Sequence, residues 1–183
     1  MKILKFFIIF FLASRISITG LDLPTGSWNI ESGTILFRSE APNETIVGKG
    51  SKVSGNLDMK KKSVSVTIDL SDWSTGHNLR DKHMHENYLE TQKFPLAKFE
   101  GYLQNFNPKT AIVALKGKIF LHGVTQEVIL EGELKKDSSG DYVFFSEFNI
   151  LLSDYKIPIP KLLILKLNEK IQVRTKFNLK KKN

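Results

Sequence analysis

The sequence predicts an all-β fold, an antiparallel barrel of about eight strands with one short helical insert over residues 79–90. Three observations carry that expectation. From Gly26 onward the dominant apolar period is two, which puts alternate side chains on opposite faces of a strand. Turn signals recur at short intervals, at Pro42-Asn43, Asn107-Pro108, His122-Gly123 and "DSSGD" (137–141), leaving no room for helical crossovers between parallel strands. Residues 79–90 alone form a stretch without Gly, Pro or a β-branched side chain.

The chain opens on a short basic head, "MKILK", followed by the apolar run "FFIIFFLA" at residues 6–13. This is the pattern of a secretory signal peptide, and it falls short of the ~20 apolar residues that span a bilayer. We therefore expect a signal peptide over residues 1–20 and a single β-barrel domain over 21–183, placed in the periplasm or secreted. The absence of cysteine excludes disulfides, thiolate zinc sites and a thiol nucleophile. The formal charge of +8 falls to +5 once Lys2, Lys5 and Arg15 leave with the signal. The terminal "KKK" at 180–182 reads as a solvated tail, and there is no clustered basic face with stacking aromatics, so nucleic acid is not an expected partner. Peripheral contact with anionic headgroups stays open.

Strand phases follow from the alternation. Val64, Val66, Ile68 and Leu70 share one face of "KSVSVTIDLSDW", and Val128, Leu130, Gly132 and Leu134 share one face of "VILEGEL". In "IQVRTKFNLK" the inward set is Ile171, Val173, Thr175, Phe177 and Leu179. Glycines within the strands (Gly48, Gly50, Gly55, Gly117, Gly132) permit the sharp bending of a coiled sheet, which favours a barrel over a sandwich. In the insert, Asn78 with Asp81 three residues on resembles an N-cap with an acid in the first turn. Met84 and Tyr88 share an inward face with Leu89 at its margin, and Phe94-Pro95 returns the chain to a strand.

The insert holds three of the four histidines. Ligands on one helix face need a spacing of three or four, whereas His83 and His85 lie about 200° apart on a helix. No nucleophile elbow and no P-loop is present. The structural reading is that Arg80 and Asp81 tie the helix to neighbouring strand ends, that His83 donates to a carbonyl at the barrel rim, and that His85 faces solvent.

The blocks "VSVTIDLSDWSTG", "LRDKHM", "YLETQKFPLAKFEG", "ALKGKIFLHGVTQEVILEG" and "FNILLSDYKIPIP" resemble the YceI-like family, from about Trp28 to Leu179. The most specific parts are Arg80-Asp81-Lys82-His83, Phe94-Pro95 and the His122-Gly123-Val124-Thr125 turn. The resemblance implies a lipocalin-like, eight-stranded antiparallel barrel with a helical insert, exported in many members. It also implies an apolar interior that binds isoprenoid lipids such as quinones, with neither catalytic residues nor a cofactor. Trp73 departs from the pattern, standing where a small or apolar residue is usual.

An eight-stranded barrel is just wide enough to be filled by side chains or to hold one slender ligand. Candidate lining residues are the inward sets: Val64, Val66, Ile68, Phe99, Val113, Leu130, Phe145, Val173 and Phe177. Nine phenylalanines remain beyond the signal segment, enough to fill the barrel. Two rivals to a lipid carrier therefore stay open. One is a structural or interaction protein with a solid barrel, and the other is a metal-binding module using His77, His83, His85 and His122.

Overall fold

The computed structural model describes residues 23–40, 44–159, 161–162, 165–166 and 168–182. The expected signal peptide, residues 1–20, lies outside them. Alternating burial appears strand by strand, as in β1 (Ser27–Glu40), where Ile35, Phe37 and Ser39 point in and Leu36, Arg38 and Glu40 point out. The chain continues through β2 (Thr45–Gly50), β3 (Val53–Asp58), β4 (Ser63–Asp69), β5 (Leu96–Asn107), β6 (Ile112–Leu121), β7 (Val124–Lys136) and β8 (Tyr142–Leu151). The two-residue strands β9 (Lys161–Leu162) and β10 (Leu165–Lys166) pair with each other as a separate ribbon, and β11 (Lys170–Lys181) completes the main sheet.

Strands adjacent in sequence pair antiparallel from β3 to β8, β8 pairs with β11, and β11 returns to β1. The sheet is thus a closed meander. β2 and β3 keep one register against β1, from Glu40↔Thr45 through Ile35↔Gly50 to Ser27↔Asp58, so they are one wall strand broken at Ser51–Lys52. At that break the Asp72 carboxylate accepts from the backbone N–H of Ser51 at 2.7 Å and of Lys52 at 2.8 Å. Counted this way the barrel has eight strands, the expected number.

All connections carrying the expected motifs fall at one end, which forms the mouth. They are the β4–β5 insert, the His122-Gly123 turn between β6 and β7, and the β8–β11 segment. At the other end Trp28 packs edge-on against Tyr142 with ring centroids 5.0 Å apart, and its indole N–H donates to the Thr25 carbonyl.

Inside the insert, α1 (Asn78–His83) runs into a single π-helical turn over Met84–Tyr88. The helix begins one residue earlier than expected. His77, not Asn78, occupies the N-cap position, and it makes no side-chain cap bond. Asp81 does not serve the helix terminus either, because its carboxylate turns back to Ser74 and Thr75. The chain leaves the helical path at Glu90, whose φ is +45°.

Toward the mouth the wall unzips between β7 and β8, and β2 pairs in a ladder with β1 alone, its other edge carrying the single Lys49↔Ser74 bridge. β7 and β8 pair only from Gly132↔Ser146 to Lys136↔Tyr142. Toward the mouth, residues 124–131 of β7 stay paired to β6 and residues 147–151 of β8 stay paired to β11, with no ladder between them.

Close approach to glycine thins the wall elsewhere. Gly101 and Gly117 face each other across β5 and β6. A Cβ on Gly117 would meet the Glu100 carbonyl oxygen at 2.4 Å and the Phe99 ring at 2.9 Å. Gly117→Ala should therefore cost about 1–3 kcal/mol of stability, as overpacked sites do. A denaturation midpoint equal to that of the wild type would show that the wall yields there at no cost.

Candidate functional site: an apolar cavity inside the barrel

Inward side chains of the eight wall strands surround a cavity of about 610 Å³, within the range of roughly 300–1,000 Å³ typical of ligand pockets. Leu23, Leu57, Met59, Leu103 and Leu179 border its lower part. Val64, Val66, Ile68, Phe99, Val113, Leu130, Val173 and Phe177 also border it, so eight of the nine candidate residues face the cavity. Met84, Tyr88 and Leu89, the expected inward face of the insert, cover it from above together with Trp73.

The ninth candidate, Phe145, is a correction. Its neighbours Phe144 and Phe148 border the cavity, while Phe145 points outward beneath the ammonium groups of Lys135 and Lys176, 5.7 and 5.8 Å from its ring centroid. In "VFFSEF" aromatic residues occupy both phases, so alternation cannot choose between them. The buried Ser146 sets the phase.

The rim is polar and is held by the insert. Asp81 accepts from the Ser74 hydroxyl at 2.6 Å, the Thr75 amide at 2.7 Å and the Thr75 hydroxyl. Ser74 in turn exchanges both backbone hydrogen bonds with Lys49 of β2, each 2.9 Å long. Arg80 donates through Nε to the Thr75 hydroxyl at 2.9 Å and lies 3.4 Å from the Glu44 carboxylate just before β2. The helix is thus tied to the wall through both charged residues of its Arg-Asp pair. Burial pushes the Asp81 carboxyl up, but the bonds from Ser74 and Thr75 outweigh it and hold the pKa below the ordinary aspartate value.

The histidines are distributed differently from the expectation. His85, not His83, meets a carbonyl at the rim. Its Nε2 lies 2.9 Å from the Trp73 carbonyl oxygen, and Nδ1 lies 3.3 Å from the Thr91 hydroxyl. His83 is exposed beside the cavity mouth. The signal was available, because His85 is one helical turn after Asp81 and must share the face that Asp81 turns to Ser74. His122 has a structural role that spacing alone does not reveal. Buried at the β6–β7 turn, it sets Nε2 2.8 Å from the Glu90 carboxylate and Nδ1 3.2 Å from the Tyr155 carbonyl oxygen. The Phe94 ring packs 4.6 Å from its imidazole, so the Phe94-Pro95 and His122-Gly123 motifs meet in space. Burial, with the Asp154 charge in second place, pushes the Tyr155 phenol up to about 12. Among the described residues no group of three or more His, Cys, Asp or Glu is placed to hold a metal ion.

A closed antiparallel meander around one apolar cavity, capped by a short helix, defines a barrel of the lipocalin-like kind. The YceI-like domain model matches residues 28–179, and the chain belongs to that family. A UPF0312 protein of Photorhabdus laumondii is 30% identical over 136 residues, covering 72% of this chain; the match takes in 61% of that relative's length. Among solved structures, a polyisoprenoid binding domain from Saccharophagus degradans superimposes with a TM-score of 0.71 at 13% identity, over 85% of this chain and 98% of that one. Burkholderia cenocepacia BcnA gives 0.67 at 14% identity, over 80% and 95% of the two chains. The Campylobacter jejuni YCEI protein gives 0.54 at 15% identity, over 98% and 100%.

The clamp has a measurable pH signature. Because the folded-state pKa of Asp81 is depressed, its contribution is present above the unfolded value near ~3.9 and is lost as pH falls through the folded value. Asp81→Asn should lower the stability at pH 7 by about 2 kcal/mol, with the gap to wild type closing below roughly pH 4. Melting curves between pH 2.5 and 7 test this; a gap of constant size would argue against the clamp.

Proposed function

We propose that this chain is an exported carrier or reservoir that holds an isoprenoid-type lipid, such as a quinone, inside the barrel and performs no chemistry on it. The observation that carries this reading is the apolar cavity of about 610 Å³. A solid barrel, the structural rival, has no such space. An isoprenoid chain offers nothing to hydrogen-bond, so its affinity rests on apolar burial at about 25 cal/mol per Å². Burying ten isoprenoid carbons gives several kcal/mol before ordering costs are subtracted. The likeness to a polyisoprenoid binding domain supports the same ligand class.

Export to the periplasm or beyond rests on the basic head and apolar run of the first twenty residues. There the carrier would meet membranes at its mouth, where Leu79 is 61% exposed beside the exposed Lys82. An apolar tip flanked by a cation suits brief peripheral contact with an anionic lipid surface.

Organic extraction and native mass spectrometry of the purified protein should find one long-chain lipid per barrel. A lipid-free barrel that takes up no long-chain quinone would sink the proposal. Val66→Trp, which projects an indole into the cavity, should abolish uptake while the far-ultraviolet spectrum stays that of a β protein. The exported protein should have a mass that lacks roughly the first twenty residues; full-length chain confined to the cytoplasm would overturn the export reading.

A further inference from the structure

Among the described residues, three of the buried side chains that border the cavity are polar, namely Ser39, Ser146 and Thr175. Ser146 has a structural task. The β7–β8 ladder ends at Gly132↔Ser146, and the Ser146 hydroxyl donates at 2.6 Å to the carbonyl of Glu131, where the seam begins. Thr175 has none. It is 8% exposed, and its hydroxyl has no hydrogen-bond partner. A valine would fill the same volume without an unsatisfied buried hydroxyl, so without a ligand the oxygen is a cost.

The position suggests what would remove that cost. Thr175 pairs with Ser146 on β8 and with Ile35 on β1, with Val173 and Phe177 next on the same face of its own strand. Side chains directly opposite on one face have Cβ atoms about 4.5–5.5 Å apart, so the two hydroxyls form one polar rung half-way down the barrel. Thr175 has a proton to donate. Ser146, its proton already committed, offers only lone pairs. Among the described residues no buried cation borders the cavity at that level, and an anionic head there would lie uncompensated.

We propose that the Thr175–Ser146 rung is a polar subsite that receives the carbonyl oxygen of a neutral lipid, with the Thr175 hydroxyl donating to it. This rests on the lipid-binding reading above and narrows the ligand class. A quinone ring and an acyl ester both present such an oxygen, whereas a plain polyisoprenoid hydrocarbon does not. Ser39 also carries an unpartnered hydroxyl, at 4% exposure. It stands near the mouth between Ile46 and Ile171, where it offers a single group and no paired acceptor.

The test titrates wild type and Thr175→Val with a long-chain isoprenoid quinone, a fatty acyl ester and squalene, and melts both proteins without lipid. The valine variant should bind at least one carbonyl lipid roughly tenfold more weakly, bind squalene as the wild type does, and melt higher when empty. A loss confined to the quinone or to the ester identifies which source of the carbonyl the site takes. Equal changes for all three lipids, or none, overturn the subsite while leaving lipid binding intact. A larger loss from Ser39→Ala than from Thr175→Val moves the polar group to the mouth and also overturns it. Failure of wild type to take up any of the three refutes the lipid-binding reading, and the subsite falls with it.

Discussion

The ladder between β1 and β11, from Trp28↔Lys181 to Ser39↔Ile171, joins the last strand to the first and removes the long open edges of the sheet. Once the ring is closed, its radius follows from strand number and stagger, not from side-chain volume. An open sheet can fold down on its core until no space is left. A closed one cannot, so the interior is filled by side chains or stays hollow.

Closure also concentrates the cost of irregularity into a few places. β2 and β3 separate at Ser51–Lys52, and the Asp72 carboxylate takes the two amide protons exposed there. β7 and β8 separate toward the mouth, where two side chains reach across. Ser146 donates to the Glu131 carbonyl, and the Gln126 amide donates to the Asp154 carbonyl at 2.7 Å. The inward residues beside this seam, Val128, Leu130, Phe148 and Ile150, are only partly buried, unlike those on the fully zipped β1 and β11. The seam lies toward the mouth, where the Arg80-Asp81 clamp ties the helix to the wall.

Period-two alternation made the strands and most of their phases legible, because each strand has one face in water and one toward the cavity. Val64, Val66 and Ile68 fall as expected, as does the whole inward set of β11. Alternation failed at Phe144 and Phe145, where both phases are apolar. It also could not reveal the seam, because residues 124–131 alternate just as a paired strand does. The insert was legible as a helix, but its polar contacts are tertiary. The pairing of His122 with Glu90 joins residues 32 apart, and the anchoring of His85 depends on where Asp81 turns.

Nine phenylalanines beyond the signal segment are enough to fill the barrel, and the placement of the aromatic rings explains why it is hollow. Phe37 stands opposite Gly48, and Phe177 stands opposite Gly33. The Phe99 ring covers Gly101 and Gly117, Phe144 covers Gly132, and Trp73 covers Gly50 while stacking on Phe37 at 5.2 Å. In each case a Cβ on the glycine would come within 2.9 Å of the ring. These rings therefore lie in depressions of the wall that only glycine provides, flat against the backbone and not across the barrel axis. Aromatic cover of a glycine strengthens a strand without consuming interior volume. The same glycines that announced a bent sheet in the sequence thus take up the aromatic bulk that would otherwise have filled the barrel. The tryptophan at position 73, out of place by family pattern, fits because Gly50 leaves it room.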